Sequence, residues 1–386
     1  MMKIIAHLDL DCFFVSCERI KHPELAGKPA IVGGSASGRG VVASPSYEAR
    51  KFGVRSAMPS KRAMELCPNA IFLTPDLDFY SEMSHRVRRY LRETAPVVEQ
   101  ASIDEFYLDI SGCERIYPEP LQFGAIIKGY LSTALKLPST VGISTSKLVS
   151  KIAAAEAKPD GLSYILAGKE QAFLSTLPVE AMPGIGKVTA REMHRFSFKT
   201  LGQIALAEDS FLIRCFGKWG AEFKKSAEGI DDSPVTSWED PKSFGRETTF
   251  EKDEANQDYL LSVLSSFAEE CCAELRRYHF KAKTVTVKFR LPDFKTFERS
   301  KTIFSTANEK DIFLTAKKLF LGYGTKQTKF RLIGLSVSNL TAAKKAETLF
   351  SEPEDEKWER IDKHIDTIRH KYGLEAIQLG SSLKVK

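Results

Sequence analysis

The chain has 386 residues, which is enough for two to four domains that each have a core. Hydrophobic residues make up 43% and charged residues 27%, as in an ordinary globular protein, and no apolar run reaches the roughly 18 residues that a membrane helix needs. The cysteines are scattered without a Cys-x-x-Cys pair, which argues against a disulfide framework and a zinc ribbon. We therefore expect a cytoplasmic protein without a membrane partner.

The positive charge of the chain is regional. The net charge is +6, and the excess of basic over acidic residues within 241–345 is larger than this whole-chain value. This distribution predicts a dedicated module that binds a polyanion, although the total charge alone is too small to prove a nucleic-acid partner.

The N-terminal segment predicts a strand over residues 1–10 and a helix from Asp11 to Ile20. Strands at 29–32 and 41–43 flank a glycine-rich stretch, residues 33–40. Glycines here allow a phosphate cradle or a flexible hairpin. The stretch lacks the Gly-Lys-Ser/Thr ending of a P-loop and precedes a strand, so the hairpin is favoured.

A short helix is predicted from Ser46 to Phe52, with Tyr47 and Arg50 on one face. A phenol and a guanidinium in this arrangement are able to grip phosphate oxygens, and the guanidinium can do so with two parallel hydrogen bonds. The alternative from spacing alone is an ordinary surface helix.

A pair of adjacent acids occupies the tip of a predicted hairpin. A basic helix over residues 76–92 precedes two strands, and Asp104 and Glu105 lie between them. Two carboxylates about 4 Å apart repel by about 4 kcal/mol at an effective dielectric of 20, so a fold that adds Asp9 beside them usually holds a cation there. Three carboxylates form an oxygen-only site that suits magnesium. A solvated Asp-Glu turn is the alternative.

The rest of the first half predicts helices at 121–135 and 147–157 and a strand at 140–144, which together give a mixed α/β sheet. Lys158 begins a Pro-Asp-Gly stop signal after the second helix. From the residues alone, this lysine is expected to be solvated.

Residues 166–235 predict short helices without a strand. They contain Pro183-Gly184-Ile185-Gly186-Lys187, the pattern of the turn in a helix-hairpin-helix element. Glycines let backbone N–H groups approach a DNA phosphate near a helix N-terminus. A tight turn between two helices without DNA contact is the alternative.

Beyond a linker at 237–242, the pattern predicts β-α-β-β-α-β, a compact sheet with helices on one face. On the strand over residues 281–290, Lys288 and Arg290 share the face opposite Val285, Val287 and Phe289. A polar, cationic face suits a phosphate backbone, and a merely solvated face is the alternative.

Several motifs occur together at family-like spacing, and through them the chain resembles a Y-family translesion DNA polymerase, most similar to the bacterial members. They are Asp9-Leu10-Asp11-Cys12-Phe13-Phe14, Tyr47-Glu48-Ala49-Arg50-Lys51-Phe52-Gly53, Ser102-Ile103-Asp104-Glu105 and Tyr107-Leu108-Asp109. The resemblance implies a multidomain α/β right-hand polymerase. Its α/β palm is expected at 1–10 and 76–165, small fingers at 11–75, a helical thumb at 166–235, a βαββαβ little finger at 242–341 and a tail at 342–386.

The resemblance also implies the roles of the site residues. Asp9, Asp104 and Glu105 would be catalytic and hold two magnesium ions, with the Leu10 carbonyl as a further ligand. The expected nucleotide-binding residues are Phe13, Phe14, Ser44, Tyr47, Arg50 and Lys158. Phe13 and Phe14 are consecutive, so one helix face cannot bury both. Phe14 packs either in the core or, as the resemblance implies, where a ribonucleotide 2′-hydroxyl would lie.

Leu349 and Phe350 form an apolar pair in the polar tail and resemble the family's sliding-clamp peptide, with Glu347 at the position of its usual glutamine. The implied activity is low-fidelity, distributive translesion synthesis by a monomer, on primer–template DNA with deoxynucleoside triphosphates and without a proofreading exonuclease. Two alternative functions remain possible on the sequence alone. One is a nucleotide cyclase, which has no duplex to hold, and the other is a non-catalytic DNA- or clamp-binding homologue.

Overall fold

The computed structural model describes residues 3–237, 240–323, 328–343, 353–373 and 376–383. The chain forms two compact units, Met1–Glu239 and Asp240–Lys386. None of the helices within the described ranges combines the length and the apolar character that a membrane crossing requires.

The first unit alternates strands and helices up to residue 164 and is helical after it. Its strands are β1 Ile5–Leu10, β2 Ala30–Gly33, β3 Val42–Pro45, β4 Ile71–Leu73, β5 Val97–Gln100, β6 Glu105–Asp109, β7 Ser139–Ser144 and β8 Leu162–Tyr164. Its α-helices are α1 Phe13–Lys21, α2 Tyr47–Arg50, α3 Ser60–Leu66, α4 Leu77–Thr94, α5 Pro120–Ala134, α6 Lys147–Ala157, α7 Glu170–Ser175, α8 Lys187–Arg195, α9 Leu201–Ala205, α10 Asp209–Phe216 and α11 Lys218–Ala227.

The larger sheet of this unit has the strand order β5-β6-β1-β7-β8 and carries helices on both faces. Val141 and Ile143 on β7 point toward α5, since a Cβ built at Gly124 of that helix would meet both side chains. Gly142, between them, faces α6. A Cβ at Gly142 would lie 2.2 Å from the Ser150 carbonyl oxygen, so the missing side chain is what lets α6 lie close to the sheet.

A second, three-stranded sheet has the order β3-β2-β4 and its own small apolar cluster. Strands β2 and β3 are antiparallel, with Val32 opposite Ser44, so the hairpin predicted for residues 33–40 is confirmed. Helix α2 is shorter than predicted. It begins after Ser46, whose hydroxyl accepts a hydrogen bond from the Ala49 amide at 3.2 Å.

The helices after residue 166 enclose a third apolar cluster, which also includes Val149 and Ile152 of α6. Helix α6 therefore packs on the sheet with one side and on these helices with another. As predicted, the described residues in 166–235 contain no β-strand element.

The second unit contains a four-stranded antiparallel sheet with the order β11-β10-β12-β9. In chain order its elements are β9 Ser243–Glu254, α12 Gln257–Arg277, β10 Phe280–Arg290, β11 Thr296–Thr306, α13 Glu309–Leu321, β12 Phe330–Ala342 and α14 Pro353–Tyr372. Val285, Val287 and Phe289 are fully buried in the core with residues of α12 and α13, which confirms the predicted β-α-β-β-α-β order and its apolar face.

Helix α14 is attached to α12 and α13 by buried charges. The Arg369 guanidinium, with only 3% of its side chain exposed, pairs with Glu269 and, at 2.6 Å, with Glu309. Arg276 pairs with Asp366 at 2.7 Å and with Glu309 at 3.0 Å. The C-terminal helix is thus an integral part of this unit.

Candidate active site

Strand pairing brings the three predicted acids together at one end of the larger sheet. Asp9 on β1 lies directly opposite Glu105 on β6, and the amide of Leu10 donates to the Asp104 carbonyl oxygen at 3.0 Å. Directly opposed residues in adjacent strands project from the same sheet face, so Asp9 and Glu105 both point to the side that carries α6.

Two lysines neutralise these acids. Lys158 Nζ lies 2.5 Å from Asp9 Oδ1, and Lys151 Nζ lies 2.8 and 2.6 Å from the two carboxylate oxygens of Glu105. Burial raises the pKa of Asp9 to about 6; the charge of Lys158 opposes this rise, and the nearby negative charges of Asp104 and Glu105 add to it. The acids therefore form a dense group of like charges, which the ammonium groups of Lys158 and Lys151 offset.

The chemistry of the donor set fits a hard cation. Three carboxylates and a backbone carbonyl offer oxygen ligands only, which magnesium prefers. Within the described residues, no three His, Cys, Asp or Glu side chains converge closely enough to hold a metal ion in their present rotamers. The lysine pairs on Asp9 and Glu105 would have to open before a metal ion could be held there.

Asp11 is a structural centre that sequence reasoning missed. Its side chain is 2% exposed and accepts hydrogen bonds from the Tyr47 hydroxyl at 2.9 Å, the Thr140 hydroxyl at 2.9 Å and the Asp160 amide at 2.8 Å. One carboxylate thus joins α2, β7 and the turn that follows Lys158. The only signal in the sequence was the Asp-x-Asp pattern, which does not distinguish a ligand from a hydrogen-bond acceptor.

The predicted phosphate-binding pair, Tyr47 and Arg50, has side chains that neighbouring groups hold in place. The Arg50 guanidinium lies 4.9 Å from the centre of the Tyr47 ring, and Arg50 Nε donates to the Pro45 carbonyl oxygen at 3.2 Å. Ser44, on β3 shortly before α2, is 8% exposed. Through Asp11, Tyr47 is connected to the turn that carries Lys158, so the fold gathers these residues at one place.

The two phenylalanines of α1 differ in burial, as their consecutive positions predict. Phe13 is buried, whereas Phe14 is half-buried and stacks on Tyr80 with ring centres 4.5 Å apart and planes at 18°. Tyr80 is fully buried and donates to Glu18 at 2.6 Å. The Phe14 ring is therefore held against a fixed support.

His7 is a second buried polar residue next to the acids that the sequence did not single out. It is 2% exposed, and neither ring nitrogen has a hydrogen-bond partner among the residues that the structure describes. Burial, with the charges of Lys151 and Lys158, lowers its pKa to about 3, so the imidazole is neutral.

The predicted DNA-binding turn lies at the start of α8. Gly184 has a φ of 91°, which favours glycine, and Ile185 anchors the turn by burial at 7% exposure. Gly186 and Lys187 are exposed, and a Cβ at either glycine would meet no atom within 4 Å. The preceding helix is a single 3-10 turn, Val179–Ala181. A cavity of about 390 Å³ lies between α6 and α11, and Pro183 of this turn is one of its lining residues.

The polar face of the second unit's sheet is less cationic than predicted. Lys288 and Glu247 both lie opposite Gly334 in the register, and their side chains meet at 2.8 Å across that glycine. Arg290 Nε donates to the Thr296 hydroxyl at 2.9 Å. The predicted clamp pair, Leu349 and Phe350, lies outside the described residues.

Comparisons with known proteins agree with this geometry. The model of the impB/mucB/samB family matches residues 8–155, and the model of its C-terminal domain matches residues 241–349. Together these matches include the three acids, the predicted phosphate-binding pair Tyr47 and Arg50, and the sheet of the second unit.

Relatives and solved structures extend the match over most of the chain. DNA polymerase IV of Dehalococcoides mccartyi is 38% identical over 99% of this chain and 98% of its own, and that of Clostridium kluyveri is 36% identical over 100% and 99%. A chimera of the Y-family DNA polymerases Dbh and Dpo4 has a TM-score of 0.79 and 28% identity, covering 88% of this chain and 99% of its own. Dbh DNA polymerase in an insertion ternary complex has a TM-score of 0.64 and 27% identity over the same shares. The chain therefore belongs to the impB/mucB/samB family and is a DNA-directed DNA polymerase of the Y-family.

Proposed function

We propose that Asp9, Asp104 and Glu105, with the Leu10 carbonyl, hold two magnesium ions for nucleotidyl transfer onto a primer 3′-hydroxyl. The strand register that sets Asp9 opposite Glu105, with Asp104 joined to Leu10 through the backbone, is the observation that carries this proposal. Magnesium held by these residues would lower the pKa of the attacking hydroxyl and neutralise charge on the triphosphate.

The residues around the acids orient the nucleotide. Tyr47, Arg50 and Ser44 would bind the triphosphate, and Lys158 would join them when it releases Asp9, its present partner at 2.5 Å. Charge-assisted hydrogen bonds from a guanidinium to phosphate oxygens fix geometry as well as charge.

Phe14 would lie against the sugar, and the buried Phe13 would support it from the core, with the two ring centres 5.8 Å apart. The Phe14 ring, braced by Tyr80, would occupy the space of a 2′-hydroxyl and so exclude ribonucleotides by steric contact. This selection needs no hydrogen bond to the sugar.

Primer–template DNA and deoxynucleoside triphosphates are the proposed substrates. The exposed turn at Gly184, Gly186 and Lys187 would contact the DNA backbone, as would Lys288 and Arg290. The three strands of the sheet β3-β2-β4 have at most four residues each, which supports small fingers that check the nascent pair little. We therefore propose low-fidelity, distributive translesion synthesis by a monomer without a proofreading exonuclease.

Primer extension with magnesium tests the proposal, on an undamaged template and on one that carries a minor-groove adduct. Asp104→Asn and Glu105→Gln should each reduce incorporation by far more than tenfold, about 1.4 kcal/mol of barrier, while primer–template binding is retained. Glu65→Gln, a change at an exposed acid of α3, is the matched control and should have full activity.

Either acid variant that retains more than about a tenth of wild-type turnover would contradict the assignment. An inactive wild type that binds DNA would instead favour the non-catalytic homologue. The cyclase is set aside because the polymerase relatives match the chain over its whole length.

We also propose that Leu349 and Phe350 bind a sliding clamp. Changing both residues to alanine should abolish stimulation of synthesis by the clamp and leave basal synthesis unchanged, because neither residue is among the proposed metal, nucleotide or DNA ligands. Equal stimulation of the wild type and the variant would remove this proposal.

A further inference from the structure

Lys151 engages both carboxylate oxygens of Glu105. The distances from its ammonium nitrogen are 2.8 and 2.6 Å, and the two side chains are 31% and 25% exposed. Helix α6 can place Lys151 there because Gly142 leaves room for the helix against the sheet. The contact thus follows from the packing of a whole helix.

A metal ion at Glu105 requires the oxygens that Lys151 now occupies. A lysine ammonium and a divalent cation cannot both take the same lone pairs at close range, and like charges a few ångströms apart repel. On the basis of the proposed function of the acids, we propose that Lys151 acts as a resident counter-ion. It keeps Glu105 neutralised in the metal-free enzyme and competes with the metal, so it sets the metal concentration at which the site fills.

The same helix provides a matched control one turn earlier. Lys147 pairs with Glu99 at 2.6 and 2.8 Å, a geometry that closely resembles the Lys151 pair. Glu99, however, also accepts a hydrogen bond from the Thr236 amide at 2.9 Å and is not among the proposed metal ligands. Replacing Lys147 or Lys151 by methionine removes the same charge from the same helix, but only Lys151 neighbours a proposed metal ligand.

Direct metal binding tests the inference without reference to turnover. The full chain is titrated with Mn²⁺ in the absence of DNA and nucleotide, and free Mn²⁺ is measured by electron paramagnetic resonance. Lys151→Met should bind Mn²⁺ about tenfold more tightly than the wild type, a factor that corresponds to about 1.4 kcal/mol. Lys147→Met should bind as the wild type does, and Lys151→Arg, which keeps the charge, should restore wild-type affinity.

Unchanged or weaker Mn²⁺ binding by Lys151→Met, in a protein whose circular dichroism and thermal unfolding match the wild type, would overturn the inference. If Lys151→Met does not fold, tighter binding by Lys151→Arg than by the wild type would overturn it equally. The proposed function is tested separately. If the double variant Asp104→Asn, Glu105→Gln binds Mn²⁺ as tightly as the wild type does, these acids are not the ligands.

Discussion

Replacing Gly142 by alanine tests whether the close contact of α6 with the sheet is needed for activity. The added Cβ would lie 2.2 Å from the Ser150 carbonyl oxygen and 2.3 Å from the Ala154 amide nitrogen. Carbon–oxygen contacts are usually no shorter than about 3.3 Å, so the helix has to withdraw by about 1 Å. Because Val149 and Ile152 hold α6 from another side, this movement also disturbs the third apolar cluster.

We expect Gly142→Ala to cost about 1–3 kcal/mol in the free energy of unfolding, as for other overpacked cores. In a unit of this size, each kcal/mol corresponds to about 2–4 °C in the melting temperature. Lys151 and Lys158 lie on and just after the displaced helix, and a shift of about 1 Å near reacting groups can reduce the rate about a hundredfold. Calorimetry and single-turnover incorporation measure the two effects.

The control for this variant is Gly129→Ala on α5. A Cβ at Gly129 would meet no atom within 4 Å, so alanine should leave activity unchanged and stabilise the helix by up to about 1 kcal/mol. A Gly142→Ala protein with the melting temperature and the incorporation rate of the wild type would show that close packing of α6 on the sheet is not needed.

Three further predictions concern sugar selection, DNA contact and pH. Phe14→Ala should raise ribonucleotide incorporation relative to deoxynucleotides by orders of magnitude; a loss of stability with unchanged sugar selectivity would identify a core residue instead. Lys288→Ala with Arg290→Ala should reduce the slope of log DNA affinity against log salt concentration by about 1–2 units, and by the lower value if Glu247 keeps Lys288 in its ion pair. Fluorescence anisotropy titrations measure this slope, and an unchanged slope would mean that this face of the sheet is only solvated. Burial raises the pKa of Asp362 to about 6; the Arg276 guanidinium at 3.9 Å opposes this rise, and the charges of Glu309 and Asp366 add to it. The folded state therefore loses stability as pH rises from about 4 through 6, and Asp362→Asn should be more stable than the wild type by on the order of 1–3 kcal/mol at pH 8 but not at pH 4. Denaturant unfolding at both pH values measures the difference, and a variant that is destabilised at pH 8 would contradict this prediction.

The elements around the acids were predictable because their signals are local. A nearly continuous apolar run predicted β1, alternation of apolar residues predicted β6, and acids at the strand ends indicated the site. The register that sets Asp9 opposite Glu105 was not visible in the sequence, yet the hairpin and the apolar strand left few other arrangements. The short elements α3, β4 and β8 escaped prediction because three to seven residues contain too little periodicity.

The contacts that depend on long separations could not be predicted. Lys151 is one of several lysines near α6, and no spacing distinguishes the one that meets Glu105 from the one that meets Glu99. Similarly, Glu247 neutralises Lys288 from a strand 41 residues earlier, across a glycine of the strand between them. Such pairs are set by the register of the folded sheet and the crossing of helices, which amino-acid patterns do not specify.

The hydrogen bonds of Asp11 have a consequence for the order in which the molecule assembles. Its partners Tyr47, Thr140 and Asp160 lie 36, 129 and 149 residues away, so the carboxylate acquires all its hydrogen bonds only after a loop of 149 residues has closed. Contacts between distant residues form late because closing a long loop costs entropy before any contact stabilises it. The proposed triphosphate site should therefore be among the last parts of this unit to form during folding. A chain that has paired its strands without docking the turn at Asp160 would be compact, yet it would lack the arrangement proposed to position a nucleotide.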